Sequence, residues 1–175
     1  MRKLNNSELE RISVENFKSA DKTPIIVILD NIRSAFNVGS AFRTSDAFRI
    51  EKIYLCGITA CPPNKEIRKS ALGSTDSVDW EQIDRTEDIV SQLKEEGFIV
   101  VAVEQTEGST LLHNYIVGKN PIAVVFGHEI NGVSQSVIDI CDASIEIEQI
   151  GTKHSLNVSV SLGIVLWNIC NKINR

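Results

Sequence analysis

One continuous apolar run, Ile25–Leu29, and four further strand candidates, Lys52–Cys56, Phe98–Val103, Pro121–Phe126 and Ser144–Ile147, alternate with stretches of helical pattern at about Val38–Phe48, Glu87–Glu96 and Ser134–Ile140. No other feature of the chain narrows its fold as much. Strands interleaved with helices imply an α/β architecture, a mostly parallel sheet flanked by helices. Ile25 to Leu29 is continuously apolar, as a strand buried on both faces requires. A chain of 175 residues suits one domain and needs neither disulfide nor metal to hold its core. Ser7-x-x-Glu10 has the form of a capping box and predicts a short helix near residues 7–19. Residues 1–23 therefore read as a short N-terminal helical extension and 24–175 as the main domain. The last stretch, Ser155–Ile169, begins with strand-like alternation at Leu156, Val158, Val160 and Leu162. Its length and apolar end predict instead a helix buried on most sides, with a dimer interface as the alternative place for that burial.

Charge at first argues against a nucleic-acid partner. Eighteen Lys and Arg stand against 23 Asp and Glu, a formal net charge of −5. The distribution is uneven. From Arg33 to Lys69 seven basic residues face three acids, and from Asp76 to Glu107 ten acids face Arg85 and Lys94. Phosphate binding follows the local patch rather than the sum, so the basic third keeps an RNA partner open, although both runs also read as ordinary solvated faces. No apolar stretch approaches the ~18 residues of a membrane helix, and the start, MRKLNNSELE, is not a signal peptide. A cytoplasmic location is expected, with Cys56, Cys61, Cys141 and Cys170 as free thiols.

Several familiar sites are missing. There is no G-x-G-x-x-G, no G-x-x-x-x-G-K-[ST] and no G-x-S-x-G. Cys56-x4-Cys61 lacks a second pair, and His113, His128 and His154 are scattered, so no metal site is expected. Three polar clusters remain, each at the edge of an apolar element. Asp30 to Thr44 ends a strand and opens a helix, with Asn37 at an expected N-cap and Arg43 six residues on. Gly127-His128-Glu129-Ile130-Asn131-Gly132-Val133-Ser134 follows a strand, where ligands of α/β folds gather. Gly151 to Ser159 leads into the last helix. Each cluster alone also reads as a capped turn.

In this order and with these neighbours, the clusters resemble the SpoU family of RNA methyltransferases, the TrmH-like branch of the SPOUT class. Asn37-x5-Arg43 with Thr44-Ser45-Asp46-Ala47 matches the family's first motif. Gly127-His128-Glu129 with Gly132-Val133-Ser134 matches the second, and Ser155-Leu156-Asn157-Val158-Ser159 the third. Lys69-Ser70-Ala71-Leu72-Gly73-Ser74 is similar to the segment after the family's second strand. The resemblance runs from about Pro24 to Ile169.

The resemblance implies methyl transfer from S-adenosyl-L-methionine to a ribose 2′-OH of tRNA or rRNA, by a homodimer with a C-terminal trefoil knot. Cofactor positions carried over are Gly127, Ile147, Leu156 and Val103, which act largely through backbone groups. Glu148 and Gln149 stand where the family usually has Pro and Met, which puts the rigidity of that loop in question. Catalytic positions carried over are Arg43, Asn37, Glu129, Ser155 and Asn157. The first-motif Arg is often described as base-like. A guanidinium resists deprotonation, so Arg43 is read instead as a phosphate clamp that stabilises the developing alkoxide. Asn37 would orient the ribose or Arg43, Glu129 would hold Arg43 or its loop, and Ser155 and Asn157 would fix the knot and acceptor side. About 23 residues precede the first strand, so RNA recognition would fall to the dimer's own surface and tRNA is expected over rRNA. Three alternatives stay open: a SPOUT methyltransferase with another RNA target atom, an inactive RNA- or cofactor-binding module, and a small-molecule α/β enzyme.

Overall fold

The computed structural model describes residues 1–173; the last two residues of the expected 24–175 domain lie outside the described residues. Seven strands form one sheet: β1 (Thr23–Asp30), β2 (Ile50–Cys56), β3 (Asp79–Ile83), β4 (Ile99–Val103), β5 (Thr110–Leu111), β6 (Ile122–Phe126) and β7 (Ala143–Glu146). Their order is β3-β2-β1-β6-β4-β7-β5, and every pairing is parallel. The α/β expectation holds. All five strand candidates fall on strands, β1, β2, β4, β6 and β7. Two strands escaped the apolar pattern. β3 is an edge strand, DWEQI, mostly exposed and recruited by its ladder to β2. β5 is only two residues long.

The helices are α1 (Val14–Ser19), α2 (Ala35–Ala47), α3 (Lys65–Ala71), α4 (Thr86–Glu95), α5 (Gln135–Ile138) and α6 (Val158–Ile173). Alternate side chains of the central strands point to opposite faces and make two cores. Ile25, Val27, Leu29, Val124 and Phe126 pack with α2, α3 and α6 residues such as Phe42, Ile67 and Leu166. Ile26, Ile28, Val100 and Val125 pack with Ile89, Val90 and Leu93 of α4 and Val137 of α5. The result is a three-layer helix–sheet–helix domain. α3 has only seven residues, too few for a helical period to be read, and Asn64 caps it through bonds from the Glu66 and Ile67 amides.

The expected helix over 7–19 is corrected. Glu10 has a φ of +47°, which no helix tolerates, and it splits the segment. A 3-10 turn covers Asn6–Glu8, with the Asn5 amide donating to the Glu8 carboxylate, while Ser13 caps α1 through the Asn16 amide. The start of α2 is corrected as well. Ser34, not Asn37, is its N-cap, accepting from the Asn37 amide at 3.4 Å. α6 is a helix as expected, but it is not buried on most sides. Leu162, Val165, Leu166 and Ile169 face the core, while Val160, Ile164 and Trp167, spaced i, i+4, i+7, leave an exposed apolar stripe. Among the described residues no helix is long and apolar enough to cross a membrane.

Candidate active site

β1, β6 and β4 end in Asp30, Phe126 and Val103, so the segments that follow leave the sheet at the same edge. Asp30 is 1% exposed, yet its carboxylate is fully engaged. It accepts from the Thr86 hydroxyl at 2.6 Å, the Asn31 amide group at 2.8 Å, and the Ser134 amide and hydroxyl at 3.0 and 2.9 Å. A buried carboxylate needs such partners. Asp30 thereby pins the starts of α4 and α5 to the end of β1.

The loop 127–134 is held by its own backbone and by one acid. His128 and Gly132 exchange backbone bonds of 3.0 and 2.8 Å. The His128 ring Nδ1 accepts from the Ile130 and Asn131 amides, which leaves its proton on Nε2. A Cβ on Gly127 would lie 2.1 Å from the Gly132 carbonyl carbon and the Val133 nitrogen, so only glycine permits this closure. Glu104, directly after β4, accepts from the Val133 amide and from the Gln105 amide, each at 2.9 Å. Sequence reasoning missed Glu104. Its only signal was an acid ending an apolar strand, the pattern Asp30 also shows.

Glu129 points the other way, toward the start of α2. One carboxylate oxygen accepts from the Arg33 amide at 2.9 Å, the other from the Ser34 amide at 3.0 Å and the Asn37 side chain at 2.8 Å. Partial burial pushes the Glu129 carboxyl up, but the bonds from Asn37, Arg33 and Ser34 outweigh it and hold its pKa below the ordinary value. The Asn37 oxygen in turn accepts from the Asn157 side chain at 3.2 Å. Asn157 precedes α6, and its side-chain oxygen accepts from the Ser159 amide and hydroxyl at 2.9 and 2.6 Å. Residues 37, 129 and 157, far apart in sequence, thus form one polar chain.

Beside this chain lies a cavity of about 570 Å³, within the usual range for small-molecule sites. The expected cofactor positions Val103, Gly127, Ile147 and Leu156 all line it, as do Glu129, Ser155 and Asn157. Asn37 reaches it through its two partners. Ser155 is exposed, and among the described residues its hydroxyl has no protein partner. Arg43 is not brought there. Six residues of helix place it about 9 Å along the axis from Asn37 and about 120° around it. It is exposed on α2 and has no polar partner among the described residues. Glu129 therefore holds Asn37 and the 33–34 loop rather than Arg43. Among the described residues no cluster of His, Cys, Asp and Glu could hold a metal.

Comparison with known proteins places this geometry. The profile of the SpoU rRNA Methylase family matches residues 24–167. A putative TrmH family tRNA/rRNA methyltransferase of Staphylococcus saprophyticus is 27% identical over 157 residues, 90% of this chain and 62% of that protein. A 23S rRNA (guanosine-2′-O-)-methyltransferase of Vibrio parahaemolyticus is 26% identical over 91% of this chain and 64% of that protein. The chain thus spans about three-fifths of the length of these curated relatives. Among solved structures, a TrmH/SpoU tRNA modifying enzyme of A. aeolicus superposes with a TM-score of 0.81 at 28% identity, covering 92% of this chain and 80% of that one. An AdoMet-bound rRNA methyltransferase of Sinorhizobium meliloti gives a TM-score of 0.79 at 28% identity, covering 85% and 56%.

Proposed function

The chain belongs to the SpoU rRNA Methylase family, and on that premise we propose that it transfers a methyl group from S-adenosylmethionine to a ribose 2′-OH of RNA. The observation that carries this reading is the convergence of the three motif segments. Glu129, Asn37 and Asn157 are bonded in series at the side of a cavity lined by all four expected cofactor positions.

The residues present fit the cofactor. The cavity has the volume of a small-molecule site. Its lining includes Glu104, Glu129 and Glu146 and, among the described residues, no Lys or Arg, which suits a ligand with a positively charged sulfonium and amino group. Backbone groups at Gly127, Ile147 and Leu156, with Val103, would hold it. When bound, it supplies an electrophilic methyl carbon on sulfur. The acceptor oxygen must approach that carbon in line, so positioning supplies much of the acceleration. The Glu129–Asn37–Asn157 chain holds the acceptor side rigid, and the free Ser155 hydroxyl can bond the ribose. Arg43, which lies outside the cavity, in this reading clamps a phosphate of the bound RNA, while the 2′-OH proton passes to a phosphate oxygen or water. A homodimer belongs to the same proposal, supported by the exposed Val160, Ile164 and Trp167 stripe of α6. So does the family's trefoil knot, which rests on the family membership.

The test is incubation with methyl-labelled S-adenosylmethionine and, separately, bulk tRNA and bulk rRNA, followed by alkaline hydrolysis. Label in alkali-resistant dinucleotides is expected, with tRNA the first substrate. Label in alkali-sensitive nucleotides would move the target to a base. No transfer to either RNA by folded, cofactor-binding protein would refute the reading.

A further inference from the structure

Phe36 occupies the first turn of α2 with 56% of its surface exposed, and it joins neither core. It is one residue from Asn37, and so from the polar chain that borders the cavity. The loop after β2 and α3 are both fastened to the stretch of chain that ends in Phe36. The Ile58 amide donates to the Asn31 side chain and the Ile32 amide to the Thr59 hydroxyl, which seats the loop after β2 against residues 31–32. The Ser70 hydroxyl donates to the Phe36 carbonyl at 2.9 Å. Gly39 lets α3 come closer still, since a Cβ there would lie 2.1 Å from the Ser70 oxygen and 2.4 Å from the Ile67 carbonyl.

The charges on these segments are predominantly basic. Arg33, Lys65 and Arg68 are exposed and form no ion pair among the described residues, whereas Lys69 is paired with Glu66 at 2.8 Å. An exposed aromatic ring on a stretch of chain whose adjoining segments carry free cations suits a polyanion that offers flat apolar faces. Unpaired nucleotides do so, while the bases of a duplex are already stacked on one another. We propose that Phe36 is a stacking platform for an unpaired base of the RNA substrate, with Arg33, Lys65 and Arg68 holding the flanking phosphates. This deepens the RNA-methyltransferase reading and rests on it. The substrate class is RNA with an unpaired loop or strand next to the methylated ribose.

The experiment compares binding of the full chain to a labelled RNA hairpin with an open loop and to a blunt, fully paired RNA duplex of equal charge. The unmodified protein should prefer the hairpin. Phe36→Ala and Phe36→Leu should each weaken hairpin binding about tenfold and leave duplex and S-adenosylmethionine binding unchanged, because leucine keeps apolar volume but has no π face. Phe36→Trp should retain hairpin binding, since indole offers a larger π face. Fluorescence of 2-aminopurine placed in the loop should be quenched by the unmodified protein but not by Phe36→Ala. Arg68→Ala should weaken both RNAs and lower the salt slope by about one. Equal hairpin affinity of Phe36→Leu and unmodified protein would overturn the proposal. So would a change of sedimentation in Phe36→Ala, which would assign this face to a second copy of the chain. If unmodified protein methylates RNA while Phe36→Ala binds the hairpin normally, only the platform falls; if it binds and methylates no RNA, the methyltransferase reading falls first.

Discussion

Replacing Glu129 by Gln tests whether one carboxylate joins the first and second motif segments. The carboxylate receives three bonds, from the Arg33 and Ser34 amides and the Asn37 side chain, at 2.9, 3.0 and 2.8 Å. A glutamine oxygen can keep the Ser34 and Asn37 bonds on one side. Its NH₂ then faces the Arg33 amide, donor against donor. One charge-assisted bond is lost and two become neutral, each change being worth on the order of 1 kcal/mol or more. Partial exposure screens these terms, so the expected cost is about 2 kcal/mol. For a chain of this size that lowers the thermal midpoint by about 4–8 °C. The effect has a definite sign with pH. The Glu129 pKa is lowered in the folded protein, so its contribution is fully present above the unfolded carboxylate value and is lost as pH falls through the folded one. The difference between unmodified protein and Glu129→Gln should therefore be largest near pH 7 and shrink below about pH 4. Amide hydrogen exchange gives a local readout, with protection lost at Arg33 and Ser34. Equal midpoints at pH 7, or unchanged protection at both amides, would refute the assignment of Glu129 as the clasp.

Arg43→Ala should abolish methyl transfer while leaving the thermal midpoint and S-adenosylmethionine binding near those of unmodified protein, because Arg43 is exposed and outside the cavity; calorimetric titration and a melt check this. Gly127→Ala should weaken cofactor binding severely and lower the midpoint, since its Cβ would meet Gly132 and Val133 backbone at 2.1 Å, as titration and a melt will show. Trp167→Glu should reduce a dimer to monomer in sedimentation velocity, because it puts a charge in the exposed apolar stripe of α6. Burial pushes the Cys56 thiol up to about 12 and the Cys141 and Cys170 thiols up to about 11, so iodoacetamide at pH 8 should modify these three slowly until the protein is unfolded, as mass spectrometry will show.

The sheet was legible where physics demands an unmistakable pattern. Strands covered on both faces must be apolar throughout, so β1, β4 and β6 announced themselves, whereas β2 and β7, which carry Glu51, Lys52, Ser144 and Glu146, were legible only from their place between helical stretches. β3 carries Asp79, Glu81 and Gln82 because its faces are largely open, and only pairing with β2 makes it a strand. Asn37 misled for a similar reason. Ser34 and Asn37 are both good N-cap residues. The choice between them is made by Glu129, which holds the Arg33 and Ser34 amides from a position 95 residues away. Glu104 was invisible because its role depends on the Val133 amide, presented by a loop whose Gly132 has a φ of +69°. Local sequence carries propensity, whereas these choices belong to contacts across the fold.

Charge shows the same division between sum and arrangement. A net of −5 suggests a protein that repels RNA. In the structure part of this charge is sorted by surface. Glu104, Glu129 and Glu146 line a cavity that, among the described residues, has no Lys or Arg, so a cationic ligand is favoured there and a phosphate is not. Arg33, Lys65 and Arg68 lie on the loop before α2 and on α3, where free cations favour a polyanion. The two ligands of the proposed methyl transfer carry opposite charge at their contact surfaces, and these two groups of charged residues are separated in the same sense. RNA backbone is thus disfavoured in the proposed cofactor cavity by three of the protein's 23 acids. Salt should accordingly weaken RNA binding steeply while affecting cofactor binding much less, because only the former releases counterions from a nucleic acid.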